Sequence, residues 1–344
     1  MLGEAKHQFS LTRAAVSTCG ARKAISYQYQ YLGHFFSSFF RQIFQLRIFS
    51  GGAWLTVLLA AVSAHGQIYV ANYRGGTIGE YTLSGQTINK SFITGVAPTA
   101  IAVSGGYLYV LNGGGTVSKY TTSGTLVNAS LVSGLLYPWG MAVSGNDLFV
   151  DNTGSESGSI EEYTTSGALV NASLVPGLDN PAGLATDGNN LYVACWTSGN
   201  IGVYTTSGAS INSFGAPGAY PGGVVLDGNG NLYVSTLNGV GEYTTAGVPV
   251  NSLLISGGYN SGGGIALDGS GHLFWADNYG GAGGNVIGEY TTGGQLINPS
   301  FITGLSNPTS IVVVVPEPSS SVLVLFGLIG LILKSSFPCR MPNQ

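Results

Sequence analysis

Between residues 67 and 315 the chain sets short apolar runs between turn residues, and it does so periodically. Apolar–aromatic–apolar triplets stand at Ile68-Tyr-Val70, Leu108-Tyr-Val110, Leu148-Phe-Val150, Leu191-Tyr-Val193, Leu232-Tyr-Val234 and Leu273-Phe-Trp275. Apolar triplets stand at Ile101-Ala-Val103, Met141-Ala-Val143, Leu184-Ala-Thr186, Val224-Val-Leu226, Ile265-Ala-Leu267 and Ile311-Val-Val313. Tyr-Thr-x-x-Gly begins at Tyr81, Tyr120, Tyr163, Tyr204, Tyr243 and Tyr290, at spacings of 39, 43, 41, 39 and 47 residues. Three markers in step, six times over, define one repeating unit. Pro98, Pro138, Pro181, Pro221 and Pro308 each precede an apolar triplet by three residues; Gly262 takes that place in the remaining copy.

Each unit predicts four short strands. Strand a is the apolar triplet. A tight turn follows, such as Asp187-Gly188, Asp227-Gly228 or Asp268-Gly269, whose residues tolerate positive φ. Strand b is the Leu-Tyr-Val element, aromatic and β-branched as strands prefer. A variable Gly-rich loop leads to strand c, as in Ile78-Gly-Glu-Tyr-Thr82, and a second tight turn to strand d, as in Leu126–Val132. Four strands in such a period make a β-propeller blade. Glycine density and period-two patterning exclude helical repeats. The first copy begins at strand b and the last ends at strand a. Six complete blades therefore require Ser310–Val314 to pair beside Gln67–Val70, sealing the ring and removing its open edge. The fold expected is all-β: one six-bladed propeller of four-stranded antiparallel blades over 67–315, closed by the C-terminal strand.

The ends read differently. Ala53–Val62 is apolar, follows Arg41 and Arg47, and exits through Ser63-Ala64-His65-Gly66, the layout of a secretory signal peptide over 41–66 with a signal helix. Residues 1–40 read as an unstructured extension, which places the true start downstream, near Leu46. At the other end Pro316-Glu317-Pro318 and a serine run precede the 12 apolar residues Val322–Leu333, then Lys334 and Arg340. That run is short of the ~20 residues a comfortable span needs; the serine flanks extend it to a short transmembrane helix. Residues 315–340 resemble the PEP-CTERM sorting signal of Gram-negative bacteria. The resemblance implies export, an inner-membrane intermediate, processing by an exosortase, and arrival at the cell surface or an exopolysaccharide matrix. Members usually carry an Arg cluster directly after the helix; here there is one Lys and a polar tail, which leaves both a transient and a permanent anchor open.

The central pattern of Pro-x-Gly-apolar-Ala, Asp-Gly-x-Gly and Leu-Tyr-Val resembles NHL-type propellers over nearly all of 67–315. Related bacterial propellers include streptogramin-type lyases and calcium lactonases. NHL repeats often place Asp just after strand b; Asp151 and Asp277 fit, whereas Asn72, Asn112, Cys195 and Thr236 lie nearby in other copies, so the site is not kept in every blade.

Composition narrows the function. Only 8% of residues are charged. Within 67–315 the cations are Arg74, Lys90 and Lys119 against thirteen acids, a balance of −10. That disfavours nucleic acid, which needs Lys and Arg at phosphates. Cys195 is the one cysteine of the region, so no internal disulfide forms there. His272 is its one histidine and reads as a polar residue of an a–b turn, on the face with short turns. No nucleophile elbow, His cluster or phosphate-cradling loop is present, so no catalytic residue is assigned and no cofactor is expected. Calcium on Asp151 and Asp277 is the one alternative. Glu80-Tyr81, Glu162-Tyr163, Glu242-Tyr243 and Glu289-Tyr290 recur, which points to blade packing. The b–c loops and d–a connections share the opposite face and vary, as functional loops on a rigid scaffold do. They collect Tyr73, Trp139, Asp151, Trp196, Tyr220, Tyr259, Asp277 and Tyr279 as candidate ligand contacts. Aromatic planes with carboxylates suit a sugar. The leading expectation is an exported, non-enzymatic propeller that binds or scaffolds at the cell surface, with the export machinery, an exosortase and a polysaccharide or surface protein as partners. An enzyme of the lyase or lactonase kind working in the channel is the alternative, and a purely structural repeat the second.

Overall fold

A computed structural model describes residues 66–154, 157–216, 220–257, 263–277 and 285–315, and the backbone of 42–50 and 53–61. The chain forms two compact units, of which Gly66–Val315 is one. This unit is all-β: six sheets of four antiparallel strands, each in the order a-b-c-d from the axis outward. The second blade is typical, with Pro98–Ser104, Tyr107–Asn112, Thr116–Thr121 and Leu126–Ser133 as its strands. The first blade is built from both ends of the unit. Pro308–Val314 pairs antiparallel with Gln67–Asn72, Val312 opposite Tyr69 and Ile311 opposite Val70. Strand a of each blade packs against strand a of the next all the way round, the sixth meeting the first.

The core lies between blades. The aromatic of each strand-b triplet is buried: Tyr69, Tyr109, Phe149, Tyr192, Tyr233 and Phe274. Each interface gathers one such cluster. Tyr69, Ile78 and Ile93 of the first blade meet Ile101, Leu108 and Val110 of the second; Phe274 and Ile287 of the sixth meet Ile68, Val70 and Ile311 of the first. The strand-c tyrosines serve the same packing. Tyr81 and Tyr243 are buried, their rings lying across the glycine two residues earlier, where a Cβ on Gly79 would come within 2.7 Å of the Tyr81 ring and one on Gly241 within 2.9 Å of the Tyr243 ring.

The outer strand d needs protection from edge-to-edge pairing. In the second blade its register slips between Val117 and Lys119 of strand c, and Asn128 Oδ1 accepts the Ser130 amide at 3.0 Å. The same Asn-to-amide bond recurs at Asn89, Asn171, Asn251 and Asn298. Such bulges twist an edge away from a partner.

The described termini correct one expectation. Ala53–Ala61 is a strand, paired antiparallel with Gln42–Ser50, in place of the signal helix. Periodicity cannot separate a short apolar run in a helix from one in a strand, and the intervening Gly51-Gly52 is a hairpin signal. Among the described residues no helix is long and apolar enough to cross a membrane. The sorting signal, including Pro316, Glu317, Pro318, Lys334 and Arg340, and the C-terminal helix lie outside the described residues.

Phe274 packs where the sixth blade meets the first, its ring 5.0 Å from Phe301 within the cluster that holds Ile68 and Ile311. Phe274→Ala in the full chain is expected to cost about 3–5 kcal/mol, read as a lower denaturant midpoint. A loss below 1 kcal/mol would mean that the joint repacks and does not limit stability.

Candidate functional site

Antiparallel strands sort the loops by face. The b–c loops and d–a connections surround the mouth of an axial channel of about 650 Å³. Its wall is the strand-a residues Ile101, Met141, Leu184, Val224, Ile265 and Ile311; its mouth is Arg74, Trp139, Asn180, Trp196 and Asn307. Convergence of six sheets dictates small residues at the narrowest level. A Cβ on Gly183 would lie 1.7 Å from the Gly222 carbonyl oxygen, and one on Gly140 2.6 Å from that of Ala182.

The d–a connections explain how aromatics reach the mouth. The residue before proline has positive φ in four blades: Tyr137 (49°), Asn180 (54°), Tyr220 (57°) and Asn307 (56°). At the two asparagines the carbonyl receives the amide of the residue just after strand b. Trp196 donates to Asn180 at 2.9 Å, and Tyr73 to Asn307 at 3.1 Å. Polar residues at the end of strand b clasp the same connections. Asn72 Oδ1 accepts the Ser306 amide at 3.4 Å, Asn112 Oδ1 that of Ala97 at 3.2 Å, and Asn152 Oδ1 that of Leu136 at 2.9 Å.

Of the aromatic candidates, four come together in two pairs. Tyr73 and Trp139 have ring centroids 5.9 Å apart, Trp196 and Tyr220 5.2 Å apart. The tryptophans line the channel mouth and the tyrosines back them. Trp139 and Tyr220 remain exposed, and Tyr137 is 71% exposed. Tyr259 and Tyr279 lie outside the described residues, as does the Asp277 side chain.

Asp151 is not a rim residue. It is 1% exposed and does not line the channel. The register shows why: Asp151 pairs with Ile160, the slot held by Ala71, Leu111, Ala194 and Ala276 in other blades, whereas Asp277 pairs with Val286 in the slot of Asn72 and Asn112. A one-residue offset along a strand turns a side chain to the other face, so the two aspartates are not equivalent. Asp151 Oδ1 accepts the Trp139 amide at 2.7 Å, and its own amide donates to the Gly140 carbonyl at 3.0 Å. It therefore positions Trp139. Its Oδ2 is buried without a partner. Burial pushes this carboxyl well above the usual range, against the pull of the Gly140 and Trp139 amides.

Arg74, Asn180 and Asn307 were not foreseen as mouth residues. The φ > 0 asparagines were legible in principle as Asn-Pro pairs at a fixed place in the repeat. Arg74 carried only the signal of being one of three cations.

The opposite face is acidic. Asp187, Asp227 and Asp268 each accept two backbone amides of their own turn. Burial raises these carboxyls, but the hydrogen bonds outweigh it and hold them below the ordinary range. His272 opens its strand b, with Nδ1 3.3 Å from both Asp268 and Glu289. Among the described residues no group of three or more His, Cys, Asp or Glu side chains is placed to hold a metal ion. Among the described residues lining the channel none is a carboxylate, imidazole or thiol.

No family model matches the chain, and no curated protein sequence matches it. Solved structures do. A chain of a nidogen–laminin complex superposes with a TM-score of 0.59 at 15% identity, covering 73% of this chain and 98% of its own. A putative 6-phosphogluconolactonase from Bacteroides fragilis gives 0.53 at 14%, covering 75% and 100%. A gluconolactonase from Xanthomonas campestris gives 0.51 at 16%, covering 61% and 79%. At such identities the likeness shows the propeller fold.

A carboxyl with a raised folded pKa stabilises the fold at low pH and loses that contribution as pH rises through the folded value. Asp151→Asn is therefore expected to gain thermal stability relative to the parent chain as pH rises from 5 to 8. A difference in melting temperature independent of pH would show that the carboxyl does not titrate in this way.

Proposed function

We propose that the chain is an exported propeller that binds a glycan at the channel mouth without transforming it. The observation that carries this reading is backbone strain spent on aromatic rings. In four blades the position before proline has φ > 0, whereas Ala97 of the second blade does not, and two of the four, Asn180 and Asn307, are the residue type that tolerates it. Tyr137 and Tyr220 occupy the same conformation, which is unfavourable for a bulky residue. Strain retained where a less strained residue serves elsewhere in the same ring marks a site. The two aromatic pairs stand beside the channel, with Trp139 and Tyr220 exposed, and an exposed aromatic ring is a surface on which a sugar ring stacks. Export rests on the apolar stretch near residue 60 and the Pro-Glu-Pro tail, with the cell surface or an extracellular matrix as destination and the export machinery and an exosortase as partners.

The alternative is a lactonase-like or lyase-like enzyme. Its support is the fold shared with lactonases. The channel lining offers hydroxyl, amide and guanidinium groups in place of the acid–base pair such work calls for.

Two measurements test the binding reading. Trp139→Ala with Trp196→Ala is expected to lower affinity for a glycan-array hit about tenfold or more; unchanged affinity would dismiss this face as the site. Tyr137→Asn is expected to raise stability by roughly 1 kcal/mol while weakening the same binding. A gain in stability with binding intact would remove Tyr137 from the contact surface.

A further inference from the structure

We infer that the glycan is acidic and that Arg74 reads its carboxylate. This rests on the binding reading above and adds the ligand's charge. Arg74 sits at the tip of the b–c loop of the first blade, in a turn closed by the Gly76 amide on the Tyr73 carbonyl at 3.3 Å. The turn is held from both sides. Tyr73 donates its amide to the Asn307 carbonyl at 3.1 Å, and its ring packs on Trp139. Arg74 is thus carried to the channel mouth beside Trp139 and Asn307.

The other cations of the unit are elsewhere. Lys119 lies 4.1 Å from the Tyr107 ring centroid and donates to the Thr165 carbonyl at 3.0 Å. Lys90 lies in the outermost strand of its blade, Thr87–Thr94. Among the described residues the ion pairs are those of His272, and no described carboxylate pairs with the Arg74 guanidinium. A planar fork of donors beside a stacking ring matches a hexuronate, whose ring packs on the indole while its carboxylate takes two N–H bonds.

The balance of −10 opposes an anion, and distance decides the matter. Asp147, Asp187, Asp227 and Asp268 stand at the a–b turns, at the far end of strands of six residues. Six residues span about 20 Å. Charges separated by more than about 8 Å are largely screened at physiological ionic strength. Asp151, on the near side, is buried and its ionisation is suppressed by burial. Asp179 on the same side is exposed and precedes Asn180, but among the described residues that line the channel Arg74 is the one charged group.

The test uses the full chain and an array of hexuronate oligomers paired with their methyl esters, which keep the rings and remove the charge. The acids are expected to bind about five- to tenfold more tightly than their esters, with the preference fading between about 0.02 and 0.5 M salt. Arg74→Gln is expected to abolish the preference, so that acids and esters bind alike; Trp139→Ala is expected to weaken both. Equal binding of acids and esters, or a preference that survives Arg74→Gln, overturns the inference while the glycan reading stands. Binding that is indifferent to both Trp139→Ala and Trp196→Ala overturns the glycan reading and this inference with it.

Discussion

The whole structure depends on the pairing of Pro308–Val314 with Gln67–Asn72. Six sheets can share an axis only when the last is joined to the first; otherwise two blades present bare faces where the others have clusters of aromatic and branched residues. The joint also builds part of the mouth. Tyr73 and Arg74 follow directly from the paired strand, and Asn307 directly precedes its partner. The Tyr73–Asn307 bond and the Asn72–Ser306 bond at 3.4 Å hold the first blade's strand-b end to the last d–a connection, and the Asn307 amide donating to Asn285 Oδ1 at 2.9 Å ties that connection to the sixth blade. Strand pairing that stabilises the ring therefore also orients Arg74 at the channel.

Convergence at the axis sets the second constraint. Where strands a approach one another, Ala100, Gly140, Gly183, Gly223, Gly264 and Ser310 occupy equivalent places, and most side chains would collide with neighbouring backbone. Cross-blade bonds replace packing there: Ser310 Oγ accepts the Ile101 amide at 3.2 Å, and Ser235 Oγ donates to the Gly263 carbonyl at 2.7 Å. One step toward the mouth the ring widens. Thr99, Ala182, Gly222 and Thr309 stay small, and Trp139 alone among these described positions is large. Asp151 receives the Trp139 amide from a slot that is apolar in most blades, so two departures from the repeat support each other.

This explains what could be read from the sequence. Features repeated six times, such as the Leu-Tyr-Val cores, the turn glycines and the closing strand, are imposed by packing, and packing leaves a periodic trace. The strand-b aromatics and the pairing of Val312 with Tyr69 followed from counting markers. Site residues break the period and leave no such trace. Arg74 is a single departure in a loop of variable length. Asp151 was aligned with Asp277 although register places them one residue, and hence one face, apart. Ala53–Ala61 lay outside the repeat, and its apolarity alone fitted helix and strand equally.

A ring of near-identical blades offers an internal standard that most proteins lack. A ligand at its mouth is a single object facing six-fold scaffolding, so whatever serves the ligand must differ between blades, and whatever serves the ring must recur. The residue before proline meets both demands at once: the left-handed backbone recurs at 137, 180, 220 and 307, while the side chain alternates between asparagine and tyrosine. Backbone geometry there belongs to the fold, since the carbonyls of Asn180 and Asn307 anchor the next loop. The tyrosines add nothing that this geometry requires. Tyr220 instead supports Trp196 at 5.2 Å, and Tyr137 stands in solvent two residues from Trp139. The departure from the ring's own rule thus falls beside the aromatic faces, on the side of the channel where Arg74 also lies.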